Sequence, residues 1–283
     1  MTNTTSSNST LTRDQVESLL IMPLTQASTY LSVGFPVFTS SGEPIKVPSL
    51  SSMGTPGYVA EGSAIPEVSA STDEIVLLPS TVHSVKTITR VSRELMRQSI
   101  VNVEQSFAMK MTSDIARILD AALWNGAGTA GAPLGIARFT GVTSAGTAIG
   151  ALGINTLYDM QESALEAFVP VGSTTWAMSP ANLTRVRKLE DSTGQKFLQP
   201  SLSQGAPATL LGNPYVVTSH LPDTAILLFD RQQVAVGMDD RASITILDQT
   251  YANFDEVGIR VTARYDTAAM NPTAIVKASG ITS

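Results

Sequence analysis

The sequence contains no cysteine and only two histidines, His83 and His220, among its 283 residues. The absence of cysteine excludes disulfide bonds, thiolate catalysis and cysteine-containing metal sites. A serine hydrolase needs a histidine beside its serine, but both histidines fall at the ends of predicted strands and the chain has no G-x-S-x-G elbow. No carboxylate-rich metal motif accompanies them. We therefore expect no catalytic residues, no cofactor and no metal.

Charge is also scarce: charged residues make up 15% of the chain and aromatic residues 6%. The net charge of −6 argues against a protein that grips nucleic acid through a general basic surface. No uncharged apolar run approaches the ~18 residues of a membrane-spanning helix. Hydrophobic residues amount to 43%. This composition is typical of a compact soluble domain, or of a subunit largely covered by its own copies, because interface cores contain few charges.

A glycine-rich stretch, 126–131, matches the dinucleotide-binding pattern G-x-G-x-x-G. That pattern carries meaning only where a strand precedes it and a helix follows it. Here a helix is predicted before the stretch, and Pro133 and Gly135 come after it. We interpret it as the end of a helix, not as a nucleotide site.

The first half of the chain reads as extended segments followed by a long helix. Five prolines between residues 23 and 56 indicate an extended arm. Residues 57–69 and 72–88 are predicted to form the two strands of a hairpin with a polar tip near 69–73. An isolated hairpin is marginal in water, so these elements favour assembly. After Ser99 an apolar stripe predicts a helix to about Leu123.

The second half begins with a helix whose predicted N-cap is Asn155. Its apolar residues are Leu157, Met160, Ala164, Leu165 and Phe168. Ser179 followed by Pro180 predicts the start of another helix. Strands are predicted at 215–219, 225–229 and 233–238 and in stretches of 243–278. Since the last strands follow this middle region, we expect two domains, with the last strands returning to pack on the long helix.

Six short segments form an ordered series along the chain. They are 60–67 (AEGSAIPE), 91–96 (VSRELM), 123–129 (LWNGAGT), 176–180 (WAMSP), 211–217 (LGNPYVV) and 271–276 (NPTAIV). In this order and at these separations they resemble the major capsid proteins of tailed phages, the Hong Kong 97-like capsid fold family. The resemblance covers roughly residues 57 to 280.

The resemblance implies an α+β fold with a peripheral domain, built from a long spine helix and long strands, and an axial domain. An extended N-terminal arm and a β-hairpin extended loop complete the subunit. The expected division is 1–56 for the arm, 57–88 for the hairpin loop, 89–150 with 244–283 for the peripheral domain, and 151–243 for the axial domain.

The function implied is that of a major capsid protein, which self-assembles into pentamers and hexamers of an icosahedral head shell around double-stranded DNA. The expected location is the virion, with assembly in the host bacterial cytoplasm. Expected partners are other copies of the chain, a separate scaffolding protein, a portal and a decoration protein, without sequence-specific DNA binding and without a membrane. The alternatives are an encapsulin-type nanocompartment shell around a cargo enzyme, and a monomeric Ser/Thr-rich binding protein.

Some relatives weld the shell by an isopeptide bond between a hairpin lysine and a downstream asparagine, assisted by a glutamate. This chain has no lysine from Glu61 through Val85. The glutamate position falls at about Thr262 and the asparagine position near Asp255. A hydroxyl lacks the basicity of a carboxylate, so we expect a shell held without covalent crosslinks.

The charge pattern suggests an interface. The predicted hairpin carries the acidic residues Glu61, Glu67, Asp73 and Glu74. The following segment carries the basic residues Lys86, Arg90, Arg93 and Arg97 against Glu94 alone. One interpretation is two solvated faces. The other is that the acidic hairpin overlies a basic patch on a neighbouring subunit, built from this segment or from Arg185, Arg187 and Lys188, which would set register more than affinity.

Overall fold

The computed structural model of the chain describes residues 27–53, 57–59, 62, 70–78, 84–94, 103–129, 131–170, 172–190, 194, 196, 209–239, 243–247 and 249–282. The α-helices in these ranges are α1 (Val103–Asn125), α2 (Ile154–Glu166) and α3 (Pro180–Lys188). The first strands are β1 (Val37–Ser40), β2 (Ile45–Met53), β3 (Ala70–Leu77), β4 (Ser84–Ser92), β5 (Thr143–Gly146), β6 (Gly150–Ala151), β7 (Thr174–Met178) and β8 (Thr209–Leu210). The later strands are β9 (Asn213–Val217), β10 (Ala225–Asp230), β11 (Val234–Asp239), β12 (Ser243–Leu247), β13 (Glu256–Ala269), β14 (Ile275–Ser279) and β15 (Ile281–Thr282).

The strands form two large sheets. A five-stranded sheet has the order β1-β11-β13-β12, and β4 also pairs with the long strand β13. A six-stranded sheet has the order β5-β14-β10-β7-β9-β8. Two smaller sheets join β15 to β6 and β2 to β3. The expected α+β class is confirmed.

The long helix α1 confirms its prediction and ends where the glycine-rich stretch begins. The Gly126 amide donates to the Ala122 carbonyl, 2.8 Å away, and closes the last turn. A Cβ at position 126 would lie 2.3 Å from the carbonyl oxygen of Pro133, so only glycine fits the chain reversal there. The side chains of Met111, Ile115 and Leu119 are buried, as their spacing predicts.

Strand β10 separates two hydrophobic cores. Its residues Leu227 and Phe229 belong to a first core around α1, whereas Ile226 and Leu228 belong to a second core under α2 and α3. Alternate residues of a strand point to opposite faces, so both faces of this strand are covered. The continuous apolar run in β10 is the sequence signature of such a strand.

The two helices over the second core follow their predictions only in part. Ser179 is the N-cap of α3: its Oγ accepts from the Asn182 amide, with Pro180 at the first helical position. Asn155 is not the N-cap of α2, because the helix begins at Ile154 and the capping residue is Gly153. Leu157, Met160 and Ala164 are buried as expected, but Leu165 and Phe168 are exposed. A helix buries one stripe, and these two residues lie outside it.

The observed hairpin is formed by β2 and β3, not by strands at 57–69 and 72–88 as predicted. The tip expected near 69–73 falls partly inside β3, which runs from Ala70 to Leu77 and pairs antiparallel with β2. The expected first strand, 57–69, lies mostly outside the described residues. Pro44 and Pro48 suggested a strandless arm, yet Pro48 lies in β2. Proline is tolerated there because β2 pairs on one side only in the described part, and an edge strand does not need every amide.

The expected arm also contributes to the body of the molecule. Tyr30, Val33 and Phe35 are buried in the first core. Strand β1 pairs in parallel with β11. Proline content alone did not distinguish an arm outside the fold from extended chain that packs into it. The expected short helix near Thr12 lies outside the described residues.

Three strands, β5, β11 and β14, lie in sheets other than those the sequence suggested. Strand β5 falls within the range 89–150 but pairs with β14 in the six-stranded sheet. Strand β11 pairs with β13, although it falls within the range 151–243. Strand β14 pairs with β10, although it falls within the range 244–283 expected for the peripheral domain; its Ile275 still packs in the first core with the long helix. The chain therefore crosses between the two large sheets more often than a single inserted region would require.

Candidate assembly surfaces

The base of the β2–β3 hairpin is fixed to the body of the subunit. Leu77 and Leu78 are buried, and the Leu78 amide donates to Oδ2 of Asp266 over 2.9 Å. A Cβ at Gly237 would approach the Leu77 Cβ to 3.2 Å, so the glycine lets the hairpin base sit close against β11. Leu78 has a φ of 52°, in the left-handed region that side chains rarely adopt. The chain direction at this point is set by packing and by the Asp266 carboxylate.

Further along, the hairpin is exposed and carries charge. Glu74 forms an ion pair of 2.7 Å with Lys46 across the two strands, and both side chains are exposed. Asp73 lies in the same strand opposite Ser49. The predicted interface residues Glu61 and Glu67 lie outside the described residues. Lys46 was missed because the hairpin was predicted too late in the sequence. The hairpin does carry a lysine, so the absence of a lysine from 61 to 85 no longer speaks against a crosslink.

A basic face runs along β4 and β13. Lys86, Ile88 and Arg90 are alternate residues of β4 and all three are exposed. They lie opposite Thr262, Arg260 and Gly258, respectively, in the antiparallel register. Residues directly opposite each other share a face, so Lys86, Arg90 and Arg260 surround Ile88 on one side of the sheet. We call this set of four residues the basic face.

Arg90 is positioned by an aromatic ring. The Tyr251 ring lies over Gly258, where a Cβ would come within 2.6 Å of the Tyr251 Cε2. The guanidinium carbon of Arg90 lies 4.7 Å from the centre of that ring, in a cation–π contact. Gly258, Tyr251 and Arg90 therefore form one unit. Sequence reasoning identified Arg90 and missed Arg260, although the alternation of β13 could have found it.

Arg93 has a partner within its own subunit. Its Nε lies 3.8 Å from Oδ1 of Asp255, and its amide donates to the Asp255 carbonyl over 3.0 Å. This links the end of β4 to the start of β13. The last predicted basic residue of this segment, Arg97, lies outside the described residues. Arg185, Arg187 and Lys188 lie in the last turn of α3, away from this segment in the chain.

A buried carboxylate on α1 holds the N-terminal segment. Asp120 is 3% exposed. Its Oδ2 accepts from the Thr29 amide at 2.7 Å and the Thr29 hydroxyl at 2.8 Å, and its Oδ1 accepts from the Ser28 hydroxyl and the Tyr30 amide. The Thr29 hydroxyl also accepts from the Trp124 indole, 3.0 Å away. Four donors from three consecutive residues thus converge on one side chain. Buried carboxylates are stable when they are bonded in this way.

Two buried tyrosines accompany this anchor. Tyr30 packs against Trp124 and Phe35, and its hydroxyl shares a 2.6 Å hydrogen bond with Thr267. Burial raises the pKa of Tyr30 above its ordinary value; Thr267 opposes that rise and the Asp266 charge adds to it. Burial likewise raises the pKa of Tyr265 from its ordinary 10 to about 12. Both hydroxyls are therefore neutral at physiological pH.

The described residues offer little for catalysis. Within the described ranges, no three His, Asp or Glu residues gather as a metal site would require. His220 lies just after β9, where its amide donates to the Thr218 hydroxyl, and His83 lies outside those ranges. No helix in the described part is long and apolar enough to cross a membrane.

Solved structures share this fold at low sequence identity. The capsid of a native GTA particle matches with a TM-score of 0.75 and 21% identity, over 89% of each chain. The Mycobacterium phage Bobi structure matches with a TM-score of 0.71 and 18% identity, over 90% of this chain and 91% of the other. A virus-like particle from Pyrococcus furiosus matches with a TM-score of 0.60 and 14% identity, over 94% and 98%. No curated protein sequence matches the chain.

The family model for the phage capsid family matches residues 9–280. That range includes both large sheets, the three α-helices that the structure describes, the hairpin and the Asp120 anchor. The match agrees with the resemblance that the six sequence segments indicate. The chain belongs to the phage capsid family.

Proposed function

We propose that the chain is a major capsid protein of a tailed phage, and that its copies associate as pentamers and hexamers into a closed icosahedral head around double-stranded DNA. The observation that carries this proposal is the family match over residues 9–280. One chain can build a closed container because symmetric contacts repeat. The interfaces of each subunit should then lie in the obligate range of ~2,000–5,000 Å² or above.

The hairpin supports an assembled state. Beyond its base, β2 and β3 pair only with each other among the described strands. A two-stranded hairpin is marginal in water without a covered face. We propose that a neighbouring subunit supplies this cover. In this proposal the shell is held without covalent crosslinks. Thr262 supports this, because it stands where some relatives carry the carboxylate that assists crosslink formation, and a hydroxyl lacks the necessary basicity.

The surface that receives the hairpin is, in our proposal, the basic face of the neighbour. The hairpin region from Ile45 to Leu77 contains four acidic residues, Glu61, Glu67, Asp73 and Glu74, and one lysine, Lys46. The basic face presents three cations around Ile88, which supplies an apolar contact. Because charges at the rim of an interface steer and align more than they bind, this pairing would set register.

The domain division also belongs to the proposal. The sheets favour a peripheral domain of α1 with β1, β4, β11, β12 and β13, and an axial domain of α2 and α3 with the six-stranded sheet. This modifies the boundaries expected from the sequence at β1, β4, β5, β11 and β14. A scaffolding protein, a portal and a decoration protein are the further partners we propose, with assembly in the bacterial cytoplasm and residence in the virion.

The test is assembly of the purified protein followed by analysis of what the shells contain. Size-exclusion chromatography and negative-stain microscopy should show capsomers or round shells, and particles from infected cells should contain double-stranded DNA. Shells that contain a protein cargo and no nucleic acid would favour the encapsulin-type alternative. A protein that stays a ~30 kDa monomer at high concentration, with and without a co-expressed scaffold, would contradict both and favour the monomeric binding protein.

A further inference from the structure

Helix α2 presents a second uncovered surface. Its core side consists of Leu157, Met160 and Ala164, all buried. On its opposite side Tyr158 is 53% exposed and Leu165 is 50% exposed. These two residues are seven positions apart and lie on one stripe of the helix. Exposed apolar residues that are grouped in this way on the outside of a subunit typically mark a surface that binds a partner.

Acidic residues flank that stripe. Asp159, Glu162 and Glu166 are exposed on the same side of α2, and no lysine or arginine occurs between Arg138 and Arg185. None of the three carboxylates forms an ion pair within the described part of the chain. We call Tyr158, Leu165, Phe168 and these three acidic residues the α2 face.

The backbone just after α2 turns Phe168 away from the core. Phe168 follows the helix with a φ of 59°, in the left-handed region where glycine is usual, and its side chain is 95% exposed. The Val169 amide donates to the Ala164 carbonyl over 3.0 Å, and Val169 is buried. The chain therefore turns Val169 into the core and Phe168 outward. An aromatic residue at a position that favours glycine costs the isolated subunit stability.

The complementary charge lies at the end of α3. Arg185 is engaged within the subunit, where it donates to the Asn182 side chain and the Asp223 carbonyl. Arg187 and Lys188 form no ion pair with any residue the structure describes. The Arg187 Nε is buried and has no hydrogen-bond partner there, whereas the Lys188 side chain is exposed. We call Arg187 and Lys188 the α3 end.

The α2 face and the α3 end lie at different places on the layer of helices that covers the second core. Both helices cover the second core, on the same side of the six-stranded sheet. Helix α2 packs on β5 and β14, at one edge of that sheet. Helix α3 follows β7 and is tied to the loop before β10. An acidic surface and a basic surface at different places on one chain suit a head-to-tail contact, and such a contact forms a ring when its rotation closes.

We propose that the α2 face of one subunit packs against the α3 end of the next copy in the same ring, with Phe168 as the apolar anchor. This inference rests on the proposed function, since it names the contact within one capsomer. Charge complementarity identifies the occupant as a second copy of this chain. The negative α2 face would meet the two unpaired cations, while Tyr158, Leu165 and Phe168 lose their exposure to water.

The charge test uses three variants of the full chain. Glu162→Lys with Glu166→Lys, and Arg187→Glu with Lys188→Glu, should each reduce the yield of capsomers and shells at least tenfold in light scattering and negative-stain images. The chain that carries all four substitutions should recover assembly. Glu43→Lys with Asp114→Lys changes the same charge at exposed side chains outside these surfaces and should assemble like the parent.

The second variant is Phe168→Gly, because it separates stability from assembly. Glycine relieves the left-handed backbone, so the melting temperature of the isolated subunit should stay the same or rise. The concentration needed for half-assembly should nevertheless rise at least tenfold. A residue that only stabilises the subunit would move both quantities in the same direction.

Several outcomes would overturn the inference and leave the proposed function standing. The inference would be overturned if either charge-reversed double variant formed normal shells. It would also be overturned if the chain with all four substitutions folded but did not recover assembly. Unchanged assembly of Phe168→Gly would remove the anchor. By contrast, a parent chain that forms no capsomers at all would contradict the proposed function itself.

Discussion

At the scale of single residues, Asp120 is the side chain on which the N-terminal segment depends. Asp120→Ala leaves two amides and two hydroxyls without their acceptor, of which those of Ser28 and Tyr30 are buried and those of Thr29 partly buried, and unsatisfied buried groups cost about 1–3 kcal/mol each. We expect a loss of about 3 kcal/mol in the free energy of unfolding, measured by urea titration. The Trp124 fluorescence should change as well, because its indole bonds to Thr29.

The matched control is Asp114→Ala on the same helix. Asp114 forms only an exposed pair with Lys110, four residues earlier, and such pairs contribute about 0.5 kcal/mol or less. Equal losses for the two variants would show that the Asp120 anchor contributes no more than a surface pair.

The buried tyrosines predict sensitivity to alkaline pH. Burial raises the pKa of Tyr265 to about 12, above its ordinary 10 in an unfolded chain. The neutral form is therefore favoured in the folded state, and its stabilising contribution is complete below pH 10 and lost as pH rises from 10 to about 12. The urea midpoint should fall across this window. Tyr265→Phe should weaken that dependence, and a pH profile identical to that of the parent would count against Tyr265 as its source.

Gly258 is required by the ring that lies over it. Gly258→Ala would place a Cβ 2.6 Å from Tyr251, which must displace the ring and the guanidinium of Arg90. Overpacking of this kind typically costs about 1–3 kcal/mol, so we expect a lower melting temperature. Gly57→Ala is the control, because nothing lies within 4 Å of a Cβ there. A Gly258→Ala protein as stable as the control would mean that Tyr251 moves away at no cost.

At the scale of elements, the hairpin should report assembly directly. Strands β2 and β3 pair only with each other in the described part, so their amides should exchange with deuterium quickly in free subunits and slowly in shells. Leu78 should be protected in both states, since its amide is bonded to Asp266. Hydrogen exchange with mass spectrometry measures this. Equal exchange of β3 in subunits and shells would contradict a hairpin covered by a neighbour.

The elements also show what the sequence could and could not predict. The apolar periodicity of α1 and the Ser179-Pro180 start of α3 depend on local chemistry, and both were predicted. The pairing of β2 with β3 was not predicted. Proline is disfavoured in strands except at the edge of a sheet, and whether a strand lies at an edge depends on the whole sheet, not on the local sequence. The Asp120 anchor joins residues about 90 positions apart, and nothing local marks an aspartate as the acceptor for a distant turn. Lys86 and Arg90 were found as a charge run, whereas Arg260 needed the register of β13.

At the scale of the whole molecule, the pairing of the hairpin with the basic face is testable by charge reversal. The double variant Arg90→Glu with Arg93→Glu follows from the sequence, but Arg93 is tied to Asp255 in its own subunit. Arg90→Glu with Arg260→Glu is the sharper variant, because both side chains are exposed on one face. We expect folded subunits whose shells form at a small fraction of the parent yield, since reversed charges at an interface set the wrong register.

The control for this variant is Arg117→Glu, an exposed arginine on α1 outside the basic face. It should assemble like the parent. Arg117→Glu and Arg260→Glu reverse the same charge at different places, so a defect in Arg260→Glu alone would be due to the position of the charge. Assembly of the double variant should also recover in part as salt is raised, because screening weakens repulsion between exposed charges. Normal particles from Arg90→Glu with Arg260→Glu, in number and in shape, would show that the basic face is a solvated surface and that the hairpin finds its cover elsewhere.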